Sequence, residues 1–383
     1  MTIKSVENIN FSEKIQQIQT AEEIKSSIIK PYGHILNNIF NNLQEVYIFG
    51  AKELGKRFYD FFAEAGIKVL GFIDNDPNKQ NQEFCGCKII NINSLLDKKD
   101  KVTVVIASIY YLYEINLQLK ELDFKKIIPC SVFYVFNSNI FKAEPSFDGI
   151  VEDLVCNKQK YLNFYNILED EKSKKVLETV VNFRLTFDFS LYNSILDKTQ
   201  YFGEPFIKFG ENDIFVDGGG FDGDTSINFI KKVNNKYKKI LFFEPDEESF
   251  LKAKENLKNY PNIEFFKKGL YSRSAVFRFN SSGGLGSTIY QDGNTEIEVA
   301  SIDEILNEKA DYIKMDIEGA ELEALKGAEK QIKQGVKLAI SLYHKSRDIW
   351  EIPEYIKQIN PEYKFYLRHY TNTIFDTVLH AVI

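Results

Sequence analysis

The sequence predicts an α/β protein made of two Rossmann-like domains joined by a helical connector, and three observations carry that prediction. Residues 46–74, VYIFGAKELGKRFYDFFAEAGIKVLGFID, run as apolar strand, glycine turn, amphipathic helix and second strand closing on an acid. Residues 214–244, IFVDGGGFDGDTSINFIKKVNNKYKKILFFE, repeat that order and close on an acid again. A chain of 383 residues also exceeds the size at which one core stops growing. Two glycine-turn units so far apart in sequence read as two domains, not as halves of one sheet.

Taken along the chain, residues 1–40 read as an N-terminal helical segment, with QTAEEIK placing a capping box at Thr20 and Glu23. Packing or a homodimer contact is the role expected of it. The first domain spans 41–145. After its βαβ unit come KIINI near 88–92 and the apolar strand VTVVIAS at 102–108, and it ends where KAEPSFDG supplies turn residues. Residues 146–204 carry Leu, Lys, Asn and aromatics at helical spacing with no strand alternation, and read as a helical connector or cap. The second domain spans 205–383.

Composition narrows the function classes. Lys and Arg total 48 against 55 Asp and Glu, a net charge of −7, and no basic stripe is present. Such a surface repels a phosphate backbone, so nucleic acid is not an expected partner. The four cysteines, Cys85, Cys87, Cys130 and Cys156, lack paired C-x-x-C spacing and the density of a secreted disulfide scaffold, which favours a cytoplasmic setting. No apolar run approaches the ~20 residues that cross a bilayer, and the start MTIKSVENINFSEKIQ has no signal-peptide core.

In the first unit, GAKELGKR approaches the P-loop pattern, but Arg57 stands where a hydroxyl residue would hold magnesium. Lys52 likewise occupies the position of the second glycine of a dinucleotide fingerprint, which weakens NAD binding. Asp74 still stands where an acid reaches a ribose. Three readings stay open here: a structural or dimerising module, a binder of a nucleotide-linked sugar, and a redox-cofactor domain. No Tyr-x-x-x-Lys pair follows at a spacing suited to an NAD-dependent sugar oxidoreductase, which stands as the alternative together with a non-catalytic nucleotide-sugar-binding module.

The second unit is more specific. Gly218, Gly220 and Gly223 match G-x-G-x-x-G, yet Asp217, Asp222 and Asp224 surround them. Like charges about 4 Å apart cost ~1 kcal/mol in water and ~4 kcal/mol near a protein surface, which disfavours a pyrophosphate. A cation reverses the sign. S-adenosylmethionine (SAM) carries an ammonium and a sulfonium, has no phosphate, and needs a loop without side chains. Glu244 follows the loop by about 20 residues, where an acid accepts the ribose hydroxyls. The cofactor contacts expected are Asp217, Gly218, Gly219, Gly220, Asp222, Gly223, Asp224 and Thr225 of the loop, Glu244 and Pro245 after the next strand, Leu270 beside the adenine, and Asp316.

The segment ADYIKMDIEGAELEALKGAEKQI, residues 310–332, resembles the FkbM family of SAM-dependent methyltransferases. Lys314, Asp316, Glu318, Gly319, Glu321, Leu325, Gly327 and Ala328 occupy the places of that family's motif, and the resemblance extends over roughly 205–383. It implies the class I methyltransferase fold, a seven-stranded, mostly parallel sheet with its last strand antiparallel. It also implies methyl transfer to an oxygen of a sugar, glycan or natural-product acceptor.

Asp316 and Glu318 alternate with Met315 and Ile317, as at the carboxyl end of a central strand, and Glu321 would open the next helix. His344, after the apolar LAISLY, would emerge on the same edge. His369 and His380 in the C-terminal hairpin and His34 near the start are weaker candidates. Because a hydroxyl is a poor nucleophile, His344 is expected to take its proton while a carboxylate steadies the imidazolium. Magnesium on the acids is the other route. It is not favoured, since acids on a strand end and a helix start need not converge on one ion. NSSGGLGSTIY, at 280–290, is expected to form a lip of the acceptor site.

Overall fold

The computed structural model describes residues 10–32, 43–136, 145–279 and 295–383. The described chain divides into two units. One runs up to Gln16 and continues through Asn157–Thr179 and Ile195–Ile383; the other comprises Gln17–Cys156 and Val180–Ser194. The boundary at Thr179/Val180 falls within one unbroken helix, Glu171–Thr186. Helices Ile150–Cys156 and Lys158–Asn166 precede it, so the segment 146–204 is helical over much of its length and is shared out between the two units.

The unit containing Gln17–Cys156 holds a sheet of six strands: β1 (Glu45–Phe49), β2 (Lys68–Ile73), β3 (Glu83–Phe84), β4 (Cys87–Ile90), β5 (Thr103–Ile106) and β6 (Lys126–Pro129). Their order is β3-β4-β2-β1-β5-β6, all parallel except the β3–β4 hairpin at one edge. Helix Glu53–Glu64 buries Phe58, Phe61 and Phe62 on one side, the stripe that the apolar spacing of KRFYDFF predicts. The capping box forms, with Glu23 N–H donating to Thr20 and Thr20 N–H to Glu23. Asp74, at the end of β2, is already engaged: it accepts from Ala51 and Asp76 N–H groups and pairs with Lys79 at 2.9 Å.

The other unit holds β7 (Ile214–Gly218), β8 (Lys239–Phe243), β9 (Ile263–Phe266), β10 (Gly269–Leu270), β11 (Ala275–Phe279), β12 (Thr295–Ala300), β13 (Tyr312–Met315), β14 (Lys337–Ser341), β15 (Lys364–His369) and β16 (Thr377–Val382). Seven form one sheet in the order β15-β16-β14-β13-β7-β8-β9. The strands from β14 to β9 run parallel, and β16 lies antiparallel to both its neighbours. This is the predicted sheet, last strand reversed. β10, β12 and β11 make a small separate sheet. One face of the main sheet packs an aromatic core in which the Phe215 ring lies 4.5 Å from Phe229 and 5.8 Å from Tyr312. Aromatic pairs of this kind add ~0.5–1.5 kcal/mol beyond area burial.

The chain steps from β7 to β8 on one side and reaches β13 on the other. Parallel sheets bind ligands at the carboxyl ends of strands on either side of such a switch. Every candidate after β7, β8, β13 and β14 is delivered to that one edge.

Candidate active site

β7 ends in the glycine loop, and the loop is held from within. Lys314, on neighbouring β13 in register with Asp217, is 3 % exposed. Its Nζ donates to the carbonyls of Gly218 at 3.1 Å and Gly219 at 2.7 Å and lies 3.4 Å from Asp217. Asp217 is fully buried and accepts from Ser226 Oγ at 2.6 Å. It was expected to face a cationic ligand; instead it anchors the loop, because strand alternation turns it inward onto Lys314. Burial pushes its pKa up, and Lys314 and Ser226 oppose the rise.

The glycines are required by the protein itself. A Cβ on Gly219, at φ +72°, would stand 1.8 Å from the Asp316 carbonyl oxygen, and one on Gly220 would stand 2.1 Å from the Phe242 ring. Gly218 packs against Leu270, which is buried beside the loop, and a Cβ on Gly223 would meet Leu257. The loop's amides are used internally. Gly219 and Gly220 N–H donate to the Phe243 carbonyl, Gly223 N–H to that of Gly220, and Phe221 N–H to Glu244. Asp222 is half-buried and accepts from Asp224 N–H, while exposed Asp224 accepts from Thr225 N–H at 2.6 Å. The two carboxylates therefore lie at the positive N-terminal end of the helix Asp224–Lys232.

Glu244, just past β8, is buried. Its oxygens accept from Phe221 and Asp246 N–H, each at 2.9 Å, which fixes the carboxylate at the crevice edge beside half-buried Pro245. Burial raises its pKa, partly offset by those amides.

On the other side of the switch, Asp316 follows β13 directly. Glu318 and Gly319 both have positive φ, 56° and 91°, which forms the sharp turn into helix Glu321–Lys326. Lys345 Nζ holds the Gly319 carbonyl. Asp316 accepts from Tyr343 OH at 2.9 Å and Tyr201 OH at 3.3 Å. His344, 5 % exposed, has Nδ1 2.9 Å from Glu321 Oε1 and Nε2 3.5 Å from both Asp316 and Glu318. The 2.9 Å contact is an ion pair whose N–H is not aligned on the oxygen, for neither ring nitrogen has a hydrogen-bond partner. Glu321 Oε1 also accepts from Ile317 N–H, the capping role open to it from sequence.

Two expectations change here. Burial pushes the His344 pKa down, but Glu321, then Asp316 and Glu318, lift it to about 10. It already carries a proton at neutral pH and does not accept one in this arrangement. Burial likewise raises Asp316, but Lys314, His344 and Tyr343 more than offset it and hold this carboxyl below the usual range. Second, the acids do converge: donor atoms of Asp316, Glu321 and His344 lie within 4.8 Å of one another.

Sequence reasoning missed Tyr201, Tyr343 and Asp376, and gave Lys314 no site role. Burial and the nearby Asp316 push Asp376 up to about 6. Only Lys314, inside the recognised motif, and Tyr343, beside His344, carried a local signal. His369 and His380 are buried hairpin residues, lowered by burial to about 4 and about 3. His34 and the 280–290 lip lie outside the described residues. Among the described residues no helix is long and apolar enough to cross a membrane.

Sheet order and site geometry define a class I methyltransferase fold. Residues 210–369 match the family model of the methyltransferase FkbM domain, and residues 42–128 match that described as C2185-like, N-terminal. The region that builds the site is thus the region similar to the methyltransferase FkbM domain. A crystal structure of a methyltransferase FkbM from Methylobacillus flagellatus KT is similar over 97 % of each chain, at 23 % identity and a TM-score of 0.77. Slighter likenesses are to an rRNA methylase from Streptococcus thermophilus (18 % identity, 45 % of this chain and 86 % of the other, TM-score 0.31). Aeropyrum pernix fibrillarin, with natively bound SAM, is similar at 9 % identity over 46 % of this chain and 70 % of its own, TM-score 0.31. No curated protein matches the sequence.

Proposed function

We propose that this domain binds SAM at the β7/β13 edge and transfers its methyl group to a hydroxyl oxygen of a sugar, glycan or natural-product acceptor. The observation that carries the reading is how the loop uses its donors. The amides of Gly219, Gly220, Phe221, Gly223, Asp224 and Thr225 are all bonded within the protein. A dinucleotide pyrophosphate depends on amides at this position, whereas a cationic ligand without phosphate does not. Glu244 keeps lone pairs beyond the two its amide partners use, enough for two ribose hydroxyls. The carboxylates of Asp316 and Glu318 lend negative potential to the side where a sulfonium would lie.

Methyl transfer forms an oxygen–carbon bond as the carbon–sulfur bond breaks, with that electron pair staying on sulfur and the acceptor proton passing to water. His344, as an imidazolium, steadies Asp316 and Glu321 and does not serve as the base. Alignment of acceptor and methyl supplies much of the rate. The other unit fits a substrate-handling or dimerising role better than a redox one, because Lys79 already occupies Asp74.

Calorimetry with SAM, its demethylated product and NAD tests the donor, and mass spectrometry of acceptors incubated with SAM tests the oxygen chemistry. We expect heat from the first two ligands and none from NAD. NAD binding lost in Glu244→Ala, with no heat from SAM, would refute the reading.

A further inference from the structure

We propose that Asp316, Glu321 and His344 form a site for one divalent cation, held by two carboxylates and an imidazole. The site's part in catalysis rests on the methyl-transfer reading above; its existence does not. The three side chains come from three element ends: the end of β13, the first residue of helix Glu321–Lys326, and the residues just past β14. Their donor atoms lie within 4.8 Å of one another. An octahedral ion with bonds of about 2.1 Å sets adjacent ligands about 3 Å and opposite ones about 4.2 Å apart. The cluster is close to that size and closes on an ion by small side-chain rotations.

A second observation points the same way. Glu321 Oε2 and both nitrogens of His344 have no hydrogen-bond partner, although Glu321 is fully buried and His344 is 5 % exposed. Buried polar atoms are otherwise almost always partnered by hydrogen bonds. Here they sit in one cluster: a bound cation displaces the proton that His344 carries in its absence, and one imidazole nitrogen can then face the ion together with Glu321 Oε2. Glu318, 3.5 Å from His344, adds negative charge, while the Lys314 ammonium donates its protons to the loop carbonyls and lies 3.4 Å from Asp217.

Two hard carboxylate oxygens with one imidazole suit Mn²⁺, Mg²⁺ or Zn²⁺. Asp316 keeps 22 % of its side chain exposed, so the ion has an open position toward the crevice. The acceptor hydroxyl binds there, its pKa falls, and its proton leaves to water as the oxygen attacks the methyl carbon.

The test is titration of Mn²⁺ into the chelator-treated full chain, followed by the electron paramagnetic resonance of the free ion. The site predicts one saturable ion per chain, weakened at least tenfold in Glu321→Gln and in His344→Gln. It also predicts imidazole nitrogen modulation in the electron spin echo of Mn²⁺ bound to the unaltered chain, a readout independent of how the variants fold. Absence of saturable binding, absence of that modulation, or unchanged affinity in two folded variants overturns the site. SAM calorimetry on the same samples separates the two ideas: SAM heat without an ion site sinks only the ion, and an ion site without SAM heat sinks only the methyl-transfer reading.

Discussion

Replacing Lys314 by Met tests whether a buried ion pair holds the cofactor loop. The substitution keeps length and apolar bulk but removes the charge 3.4 Å from Asp217 and the donor to Gly218 and Gly219. Removing one partner of a buried pair costs ~3–5 kcal/mol. At about 2–4 °C per kcal/mol for a domain of this size, the transition of the unit carrying the site should fall by about 6–20 °C. The pH dependence has a definite sign. Burial already raises the Asp217 pKa, and without Lys314 it rises further, so the deficit is full at neutral pH and shrinks as the solution is acidified and Asp217 protonates. Adding Asp217→Leu should restore most of the stability, since apolar replacement of both partners is often neutral. SAM affinity should stay low in the double variant, because the loop carbonyls remain unanchored. Scanning calorimetry and SAM titration read all three variants. A single variant that melts like the parent, or a double variant no better than the single, would refute the reasoning.

Glu244→Ala should weaken SAM by ~1–3 kcal/mol in calorimetry, the loss expected of charge-assisted hydrogen bonds. Gly220→Ala drives a methyl into the Phe242 ring and should cost ~1–3 kcal/mol in denaturant unfolding. Gly219→Ala, facing a backbone oxygen at positive φ, should cost more and lose SAM binding. The raised pKa of His344 contributes stability that is full below its ordinary value of about 6.5 and is lost as pH rises through about 10. In chelator, the stability gap between the parent and His344→Gln should therefore narrow in alkaline solution, and a widening gap would contradict the assignment. Arg368→Met should cost ~3–5 kcal/mol, because Asp170 and Glu204 would lose a buried guanidinium 2.8 and 2.9 Å away.

Much of the edge could be read from sequence because its residues sit at strand ends, where apolar alternation stops. Glu244, Asp316 and His344 each follow an apolar run, and the structure brings all three to one end of one sheet. Asp217 misled for the same reason. It ends an apolar run too, but its inward direction depends on Lys314 facing it across the β7–β13 ladder, a pairing no local pattern announces. Likewise the unusual state of His344 comes from Asp316, Glu318 and Glu321, which all follow β13 and lie far from His344 along the chain. Tyr201 and Asp376 reach Asp316's surroundings from remote segments with no motif of their own. The boundary inside Glu171–Thr186 was invisible because helical periodicity runs through it unchanged.

The place of β16 has a consequence for synthesis. It separates β14 from β15, pairs with both, and is buried along its whole length. A ribosome delivers β14 and then β15 before the strand that belongs between them. Until Thr377–Val382 emerges, both neighbours keep an apolar edge with unspent backbone donors and acceptors, the kind of edge on which chains stick to one another. The sheet is thus completed from its interior only after both flanking strands have been made. A nascent chain halted before Thr377 would leave β15 with no partner in the main sheet, exposed to chaperones, proteases or a second stalled copy.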